Sequence, residues 1–314
     1  MPLVSVILPT RNRAGYLLRR SLDSVLAQTF KDFELIVVDD ASTDDTQKLL
    51  ATYTDPRIRV VRREQSTGVA AVRNAGVREA KGEFVAFQDD DDVWLARKLE
   101  RQVEALQAAS SDTGLCLCGY FRWWKPGGLY IGGPELFALL DFKQGQTLDV
   151  EYGLVATPAW LVRRSLLLEV GAFDERLRLW EDLECAMRLS SRCKFIHVDE
   201  PLYVHDQVLG SGLTTNVRLF ADSMQVLVEK HWQRWTGDPR VLAKQYYTLG
   251  RLHLQYGNAD EGRRWLRKAL ELRPVDPTLV GNLVCSRLGQ GLHGRLSASM
   301  RRLLNREVWW LPAA

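Results

Sequence analysis

Apolar and polar positions follow two alternating periods over the first hundred residues, which predicts strands and helices in turn. Short β-branched runs are typical of buried strands, and apolar residues three or four positions apart are typical of helices. The predicted strands are residues 4–8, 34–38, 58–61 and 84–87, and the predicted helices are 15–28, one carrying Leu49 and Leu50, and 68–80. Side-chain oxygens at 42–44 are expected to cap the second helix, and Gly82 to form a left-handed turn after the third. This order predicts an α/β fold with a mostly parallel sheet flanked by helices.

The pattern changes twice further along the chain. Short strands are predicted at 115–121, 195–198 and 202–205, with a helix from Glu181, and the chain is helical from about residue 216. Within that part, residues 246–277 carry Gly250, Trp265 and Pro274 among large apolar side chains, and they resemble one tetratricopeptide repeat. We therefore expect a domain at 1–213, with halves at 1–112 and 113–213, and a C-terminal α-helical extension at 214–314.

Composition narrows the function classes. The 314 residues are 46% hydrophobic and 26% charged with a net charge of +3, which excludes a disordered chain and gives no argument for nucleic acid as a partner. The five cysteines show no zinc or redox spacing, so free thiols in a reducing compartment are expected. No signal peptide pattern and no apolar run of about 20 residues occurs. A cytoplasmic protein is expected.

Polar side chains follow three of the predicted strands. Thr10 and Arg11 follow the first, Asp39 and Asp40 the second, and four aspartates (89–92) the fourth. Ligands of open parallel sheets bind at the carboxyl ends of the strands. Consecutive carboxylates repel one another, and hard cations such as Mg²⁺ or Mn²⁺ take oxygen ligands. The aspartate run therefore predicts a divalent metal site, with a solvated acidic loop as the alternative.

Four segments together resemble the successive motifs of glycosyltransferase family 2. They are Val-Ser-Val-Ile-Leu-Pro-Thr-Arg-Asn-Arg, Leu-Ile-Val-Val-Asp-Asp-Ala-Ser-Thr-Asp-Asp-Thr, Gly-Val-Ala-Ala-Val-Arg-Asn-Ala-Gly and Gly-Glu-Phe-Val-Ala-Phe-Gln-Asp-Asp-Asp-Asp-Val-Trp. The resemblance covers about residues 3–213. It implies the GT-A (Rossmann-like) fold and an inverting transfer of a sugar from a nucleotide diphosphate to an acceptor hydroxyl.

The resemblance also implies a donor site. Asp40 would bond the base, most often uracil, with Asp39 as a weaker candidate, and Asp91 would ligate Mn²⁺ or Mg²⁺. The run of four leaves the register open, so Asp90 and Asp92 remain alternatives. A bound metal would neutralise charge on the leaving diphosphate. The implied nucleotide-binding residues are Pro9, Thr10, Arg11, Asp40, Arg73, Asn74, Asp89 and Asp90, and the implied metal ligands are Asp91, Asp89 and His205.

A general base is expected at the start of the predicted helix at Glu181. The family's Glu-Asp motif places Asp182 against the acceptor hydroxyl, with Glu181 as the alternative base, and a carboxylate there removes the proton of a poor nucleophile. His205 would touch metal or diphosphate, although Tyr203 replaces the arginine usual two residues before it. Three tryptophans could stack on sugar rings or belong to the core: Trp123, Trp124 and Trp160.

A basic amphipathic segment ends the chain. Leucines and arginines between 292 and 306, followed by Trp309 and Trp310, predict either a packing helix or contact with an anionic membrane face. We expect a metal-dependent transferase that uses a UDP-sugar, with a saccharide or lipid-linked acceptor of cell-surface polysaccharide or glycolipid synthesis. A protein partner could bind the helical tail. The rival hypotheses are a non-catalytic nucleotide-sugar-binding protein and a response-regulator-like domain, whose phosphorylation pattern is absent.

Overall fold

In the computed structural model, residues 1–125, 128–132, 156–206 and 217–286 are described. They fall into two compact units, one formed by the first three ranges and the other by 217–286. The predicted boundary at 213 and 214 lies outside the described residues, so the exact domain limits stay a prediction.

A twisted sheet forms the centre of the first unit. β1 (Val4–Thr10) lies between β2 (Phe33–Asp39) and β4 (Phe84–Phe87), and β3 (Ile58–Arg62) pairs with β2; all three pairs are parallel. Val4, Ile7 and Leu8 have no exposed surface, as expected for a strand covered on both faces. The four predicted N-terminal strands are confirmed.

The second half of the sheet is mixed. β8 (Leu161–Arg163) is antiparallel to both β4 and β6 (Thr113–Lys125), whereas β9 (Lys194–Asp206) is parallel to β6. β5 (Val93–Trp94) and β7 (Gly128–Gly132) add antiparallel pairs to β9 and β6, and the order is β3-β2-β1-β4-β8-β6-β9-β5 with β7 on β6. The two predicted strands at 195–198 and 202–205 are one strand, β9. β5 and β8 have only two and three residues, too few to show a period along the sequence.

Six α-helices flank this sheet among the residues described. They are α1 (Tyr16–Leu26), α2 (Thr46–Leu50), α3 (Val69–Glu79), α4 (Lys98–Ala108), α5 (Arg164–Glu169) and α6 (Glu181–Leu189). Asp44, one of the residues predicted to cap α2, accepts a hydrogen bond from the Thr46 amide at 3.0 Å, but the N-cap residue is Asp45, whose side chain makes no capping bond. The left-handed turn predicted at Gly82 is wrong. Gly82 is needed because a Cβ there would lie 2.6 Å from the Ser5 amide nitrogen, a backbone atom of β1.

The second unit is helical. It contains α7 (Val217–His231), α8 (Pro239–Tyr256), α9 (Ala259–Leu272) and α10 (Pro277–Cys285). α8 and α9 cross closely at two glycines, because a Cβ on Gly250 would lie 3.0 Å from the Gly262 carbonyl. Tyr247, Leu254 and Leu266 belong to the core between these helices. A helix pair is what the sequence predicts here, and its assignment as a tetratricopeptide repeat stays a prediction.

Two expectations about the whole chain concern thiols and membranes. The cysteines whose side chains are described, Cys116, Cys118, Cys185 and Cys193, form no disulfide bond with one another. Within the described ranges, no helix combines the length and apolar character needed to cross a bilayer. The basic segment from 292 to 310 lies outside the described residues.

Candidate active site

The predicted polar residues meet at one edge of the sheet. β1, β2 and β4 run parallel, so the segments that follow Thr10, Asp39 and Phe87 leave the sheet on the same side. The link between the first two is direct, because the Asp40 amide donates to the Thr10 carbonyl at 2.9 Å. The backbone is left-handed at Asn12 (φ 51°) and Ala41 (φ 58°), a strained conformation for residues other than glycine.

The acidic loop, defined here as Asp89–Asp92, is held by its backbone. Ser21 of α1 donates its hydroxyl to the Asp89 carbonyl at 2.8 Å, and Arg20 donates to the Asp91 carbonyl at 3.0 Å. The buried amide of Gln88 donates to the Asp92 carbonyl at 2.7 Å. Since these contacts use main-chain oxygens, they fix the loop and leave the carboxylates for other partners.

The four aspartates occupy two kinds of environment. Asp89 and Asp91 have side chains that are 30% and 36% exposed, whereas the side chain of Asp90 is 12% exposed and that of Asp92 is fully buried. Asp90 accepts a hydrogen bond from the Thr10 hydroxyl at 2.8 Å. Side-chain exposure therefore alternates along the loop, which favours Asp89 and Asp91 as the pair that can contact a ligand.

Burial raises the pKa of two carboxyls of the loop, those of Asp90 and Asp91. The pKa of Asp90 is raised to about 6, mainly by burial, although Arg13 acts in the opposite direction. The pKa of Asp91 is raised to about 7 by burial and by the charges of Asp92, Asp89 and Asp90. Among the residues that the structure describes, one basic side chain, Arg13, pairs with Asp90 and Asp91, at 3.2 Å from each. The loop therefore carries more negative charge than the nearby arginines balance.

Asp39 and Asp40 differ in their contacts. Asp39 is fully buried, accepts from the Ser42 amide at 3.1 Å and bonds Gln47 of α2, so it closes the turn after β2. Asp40 accepts from the Ser66 hydroxyl at 2.6 Å and from the Thr67 amide at 3.2 Å. It thus connects the end of β2 to the segment that leads into α3.

Arg73 joins the acidic loop to α6. One terminal nitrogen of its guanidinium donates to Asp89 at 2.7 Å and the other to Glu181 at 2.5 Å. Both carboxylates raise the pKa of Arg73 further above its ordinary value, despite its burial, so it stays charged. The sequence predicted Arg73 and Glu181 as separate site residues, and the structure brings them into contact.

The start of α6 separates the two candidate bases. Glu181 is buried and is engaged by Arg73, whereas Asp182 is half-buried and accepts from the Leu183 amide at 2.7 Å. Burial and the charge of Glu181 raise the pKa of Asp182 to about 7, against the lowering effect of Arg73. Trp180, directly before α6, is left-handed with a φ of 65°.

Asn74, the neighbour of Arg73, has protein partners for its whole side-chain amide. Its nitrogen donates to the Phe173 carbonyl at 2.8 Å and to Glu175 at 3.0 Å, and its oxygen accepts from the Phe173 amide at 2.9 Å. These bonds hold the segment before α6, which favours a structural role for Asn74 over its predicted contact with the nucleotide.

The remaining predicted residues lie around the loop. The Nδ1 atom of His205, on β9, lies 3.0 Å from an Asp92 oxygen, and Arg20 pairs with Asp206 at 2.7 Å. Pro9 is half-buried and Arg11 is exposed. The sugar-stacking alternative for Trp160 is wrong, because its ring is fully buried between Phe87 and Phe173. The side chains of Trp123 and Trp124 lie outside the described residues.

The comparisons with known proteins address this arrangement. The family model described as glycosyl transferase family 2 matches residues 5–171, more than half of the chain. The chain belongs to glycosyl transferase family 2. It is therefore a glycosyltransferase, and the match contains Thr10, Asp40, Arg73 and the acidic loop but ends before α6.

One relative has a named activity. An Escherichia coli enzyme described as UDP-Glc:alpha-D-GlcNAc-diphosphoundecaprenol beta-1,3-glucosyltransferase WfgD is 41% identical over 104 residues, which cover 33% of this chain and 41% of that protein.

Solved structures show that the family 2 chain has the GT-A fold. Staphylococcus aureus TarS 1–349 in complex with UDP-GlcNAc has a TM-score of 0.69 at 21% identity, covering 95% of this chain and 91% of TarS 1–349. A mannosyltransferase from Pyrobaculum calidifontis in complex with GDP-Man and Mn²⁺ has a TM-score of 0.58 at 20% identity, covering 98% and 88%. At these identities the likeness shows the fold alone.

The donor set of the acidic loop can be compared with what a divalent cation needs. Within the described part of the chain, no group of three His, Cys, Asp or Glu residues is gathered to hold one ion. Mg²⁺ commonly uses only one or two carboxylates and completes its shell with water and substrate phosphates. The exposed oxygens of Asp89 and Asp91 fit that mode, whereas the Nδ1 atom of His205 is engaged by Asp92.

Sequence reasoning missed two basic residues of this family 2 site. Arg13 pairs with Asp90 and Asp91, and Arg20 holds the Asp91 carbonyl and Asp206. Arg13 stands in the first quoted motif, two residues after Arg11, and that position was the available signal. Arg20 lies in an amphipathic helix, where an arginine ordinarily faces solvent.

Proposed function

We propose that this glycosyltransferase is a metal-dependent, inverting enzyme that moves a sugar from a UDP-sugar to an acceptor hydroxyl. The observation that carries the proposal is a pair of partly exposed carboxylates, Asp89 and Asp91, of which Asp89 is connected through Arg73 to the acidic start of α6. An inverting transfer is one displacement that needs a base for the nucleophile and a stabilised leaving group. The start of α6 would supply the base, and the acidic loop would hold the metal that stabilises the leaving group.

Asp89 and Asp91 would hold Mn²⁺ or Mg²⁺, which when bound supplies positive charge to the leaving diphosphate. The hydrogen bond of 2.8 Å from Thr10 to Asp90 connects the end of β1 to the acidic loop. Asp40 would accept a hydrogen bond from the base, and Pro9 and Arg11 would line the nucleotide pocket at the same edge. Arg13 would exchange carboxylate partners for phosphate oxygens, because guanidinium groups recognise both.

Asp182 is the proposed base. Its carboxylate is half-buried next to Glu181 and Arg73, and its raised pKa, about 7, makes it a better proton acceptor than an ordinary aspartate. Glu181 is unsuited to that role because its carboxylate accepts a hydrogen bond from Arg73 at 2.5 Å. Asp182 would remove the acceptor proton as the hydroxyl attacks the anomeric carbon and the nucleotide diphosphate leaves.

The polysaccharide or lipid-linked acceptor is supported by the named E. coli relative, which acts on a diphosphoundecaprenol-linked sugar. A UDP-sugar donor is supported by that relative and by the UDP-GlcNAc complex of TarS. Such acceptors are anchored in the membrane, so we place the enzyme at the cytoplasmic membrane face.

A thermal-shift panel of UDP-, GDP- and dTDP-sugars, each with and without Mn²⁺, tests the donor and the metal. A ligand that binds the native state raises the melting temperature, and about 100 times Kd adds about 2.7 kcal/mol. We expect stabilisation by one UDP-sugar only when Mn²⁺ is present, and its loss in Asp91→Asn. Arg78→Gln, on the exposed face of α3, is the matched control. Equal stabilisation without metal would contradict metal dependence, and no response to any donor would contradict the proposal.

A further inference from the structure

Arg73 contacts two elements that are far apart in the sequence. Asp89 lies 16 residues from it and Glu181 lies 108 residues from it, yet each accepts a hydrogen bond from a different terminal nitrogen of the same buried guanidinium. The side chain of Arg73 is 5% exposed and that of Glu181 is 9% exposed. A buried ion pair of this kind is strongly disrupted when one partner is removed, because the other charge is left uncompensated.

The helix that carries Arg73 is held firmly against the sheet. A Cβ on Gly76 would lie 2.4 Å from the Ile7 side chain, so α3 approaches β1 as closely as a glycine allows. Asn74 forms three hydrogen bonds to Phe173 and Glu175, and the Phe173 ring lies 5.8 Å from the Arg73 guanidinium carbon. The helix that carries Arg73 is therefore fixed in position against β1 and against the segment before α6.

α6 is held at a second point further along the helix. Glu184 pairs with Arg188 at 2.6 Å, and Arg188 also donates to the carbonyls of Val170 and Ala172. This contact fixes the middle of α6 to the segment that precedes it. Arg73 ties the first turn of α6, where Asp182 lies, to the acidic loop, because it contacts both Glu181 and Asp89.

We propose that Arg73 and Glu181 are positioning residues, and that their contact holds Asp182 at a set place and orientation relative to the acidic loop. The inference rests on the proposed function for the role of Asp182, but the bridge itself is independent of the donor. Arg73 is here assigned to the alignment of the two halves of the site rather than to direct binding of the nucleotide. Glu181 acts through Arg73 and does not take the acceptor proton.

The pH profile of transfer separates this role from a merely structural one. The charged groups that act on Asp182 are Glu181, Arg73 and Asp89. Arg73→Gln removes the positive charge and moves the acid limb of kcat/KM to higher pH, whereas Glu181→Gln removes a negative charge and moves it to lower pH, each by about one unit. Arg73→Lys keeps the charge but loses the two-armed contact. The Arg73→Lys variant should therefore keep the acid limb of the wild-type pH profile, while its kcat should fall by about 10-fold to 100-fold.

Hydrogen exchange provides a readout that needs neither donor nor activity. Removing the contact exposes the first turn of α6 to local opening, so Arg73→Gln and Glu181→Gln speed exchange of the Leu183 and Glu184 amides by at least about tenfold. Arg78→Gln, an exposed change on the same helix, leaves exchange and the pH profile as in the wild type.

The outcomes distinguish the two proposals. Acid limbs that move in the same direction in the two Gln variants, or that do not move, overturn the positioning role. Unchanged exchange at α6 overturns the bridge even if a variant loses activity through poor folding. If the wild-type enzyme transfers no sugar, the proposed function fails while the exchange measurement still decides on the bridge.

Discussion

Asn74→Ala tests whether the segment before α6 is held by one side chain. Asn74 is 7% exposed, and it supplies the partners of both the amide and the carbonyl of Phe173, which is 2% exposed. Alanine leaves two buried backbone groups without partners. At about 1–2 kcal/mol for each unsatisfied group, the first unit should lose about 3 kcal/mol of stability. Transfer should also fall, because Phe173 and Glu175 lead into α6.

Asn74→Asp sharpens the test. Aspartate keeps an oxygen for the Phe173 amide but replaces the donating NH₂ with a second carboxylate oxygen, which faces the Phe173 carbonyl and Glu175. This raises the folded-state pKa of the new carboxyl above its unfolded value of about 3.9. The destabilisation is therefore full at high pH and is partly relieved as the pH falls through the folded-state pKa.

The assay is native-state hydrogen exchange of amides in β1 and β4, which open only when the first unit unfolds. It avoids treating a chain with two compact units as a single two-state transition. Arg78→Ala, an exposed change on the same helix, should stay within about 0.5 kcal/mol of the wild type. A loss below about 1 kcal/mol in Asn74→Ala, or a loss equal to that of the control, would refute the reasoning.

Three further predictions concern the pH profile, the metal and the packing of α3. Asp182 must be ionised to accept a proton, and its pKa is about 7, so kcat/KM should rise with pH through about 7 and then level off. An acid limb near pH 4 would contradict this. Treatment with EDTA should abolish transfer and added Mn²⁺ should restore it, as measured by release of the nucleotide; activity that survives chelation would contradict the metal's role. Gly76→Ala should lower the unfolding free energy of the first unit by about 1–3 kcal/mol, measured by the same exchange of β1 and β4 amides, because its Cβ would meet Ile7 at 2.4 Å. Since Ile7→Ala removes the atoms that this Cβ meets, the double variant should lose less than the sum of the two single losses, and additive losses would contradict the contact.

The first half of the fold follows from the sequence because β1, β2 and β4 each contain an unbroken run of apolar residues. A strand buried on both faces needs an unbroken apolar run, and β1 and β2 have one. β5 and β8 are held in the sheet by neighbours such as β9 and β4 rather than by their own two or three residues. Their presence, and the mixed direction of the second half, depends on tertiary pairing that no local pattern reports.

The site was predictable as a set of residues and not as a set of contacts. The acidic loop, Asp40, Arg73 and the start of α6 could be named because each follows a recognisable motif. That Arg73 contacts both Asp89 and Glu181, and that Asn74 contacts Phe173, depends on how α3 lies against the acidic loop, 16 residues away, and against segments about a hundred residues away. Likewise, the sequence leaves the register of the four aspartates open, whereas alternate exposure favours Asp89 and Asp91.

Single-turnover transfer by Asp182→Asn most directly tests the claim that this carboxylate is the base of an inverting transfer. The substitution removes the proton acceptor and also a half-buried charge whose pKa is raised in the fold. Because the pKa of Asp182 is raised in the fold, ionisation of this carboxyl destabilises the folded protein as the pH rises through about 7. Asp182→Asn removes that charge, so the variant should melt at or above the wild-type temperature at pH 8. The account predicts donor affinity within about twofold of the wild type and turnover lower by about 10²–10⁴. Turnover like that of the wild type, in a folded variant that binds the donor, would contradict it.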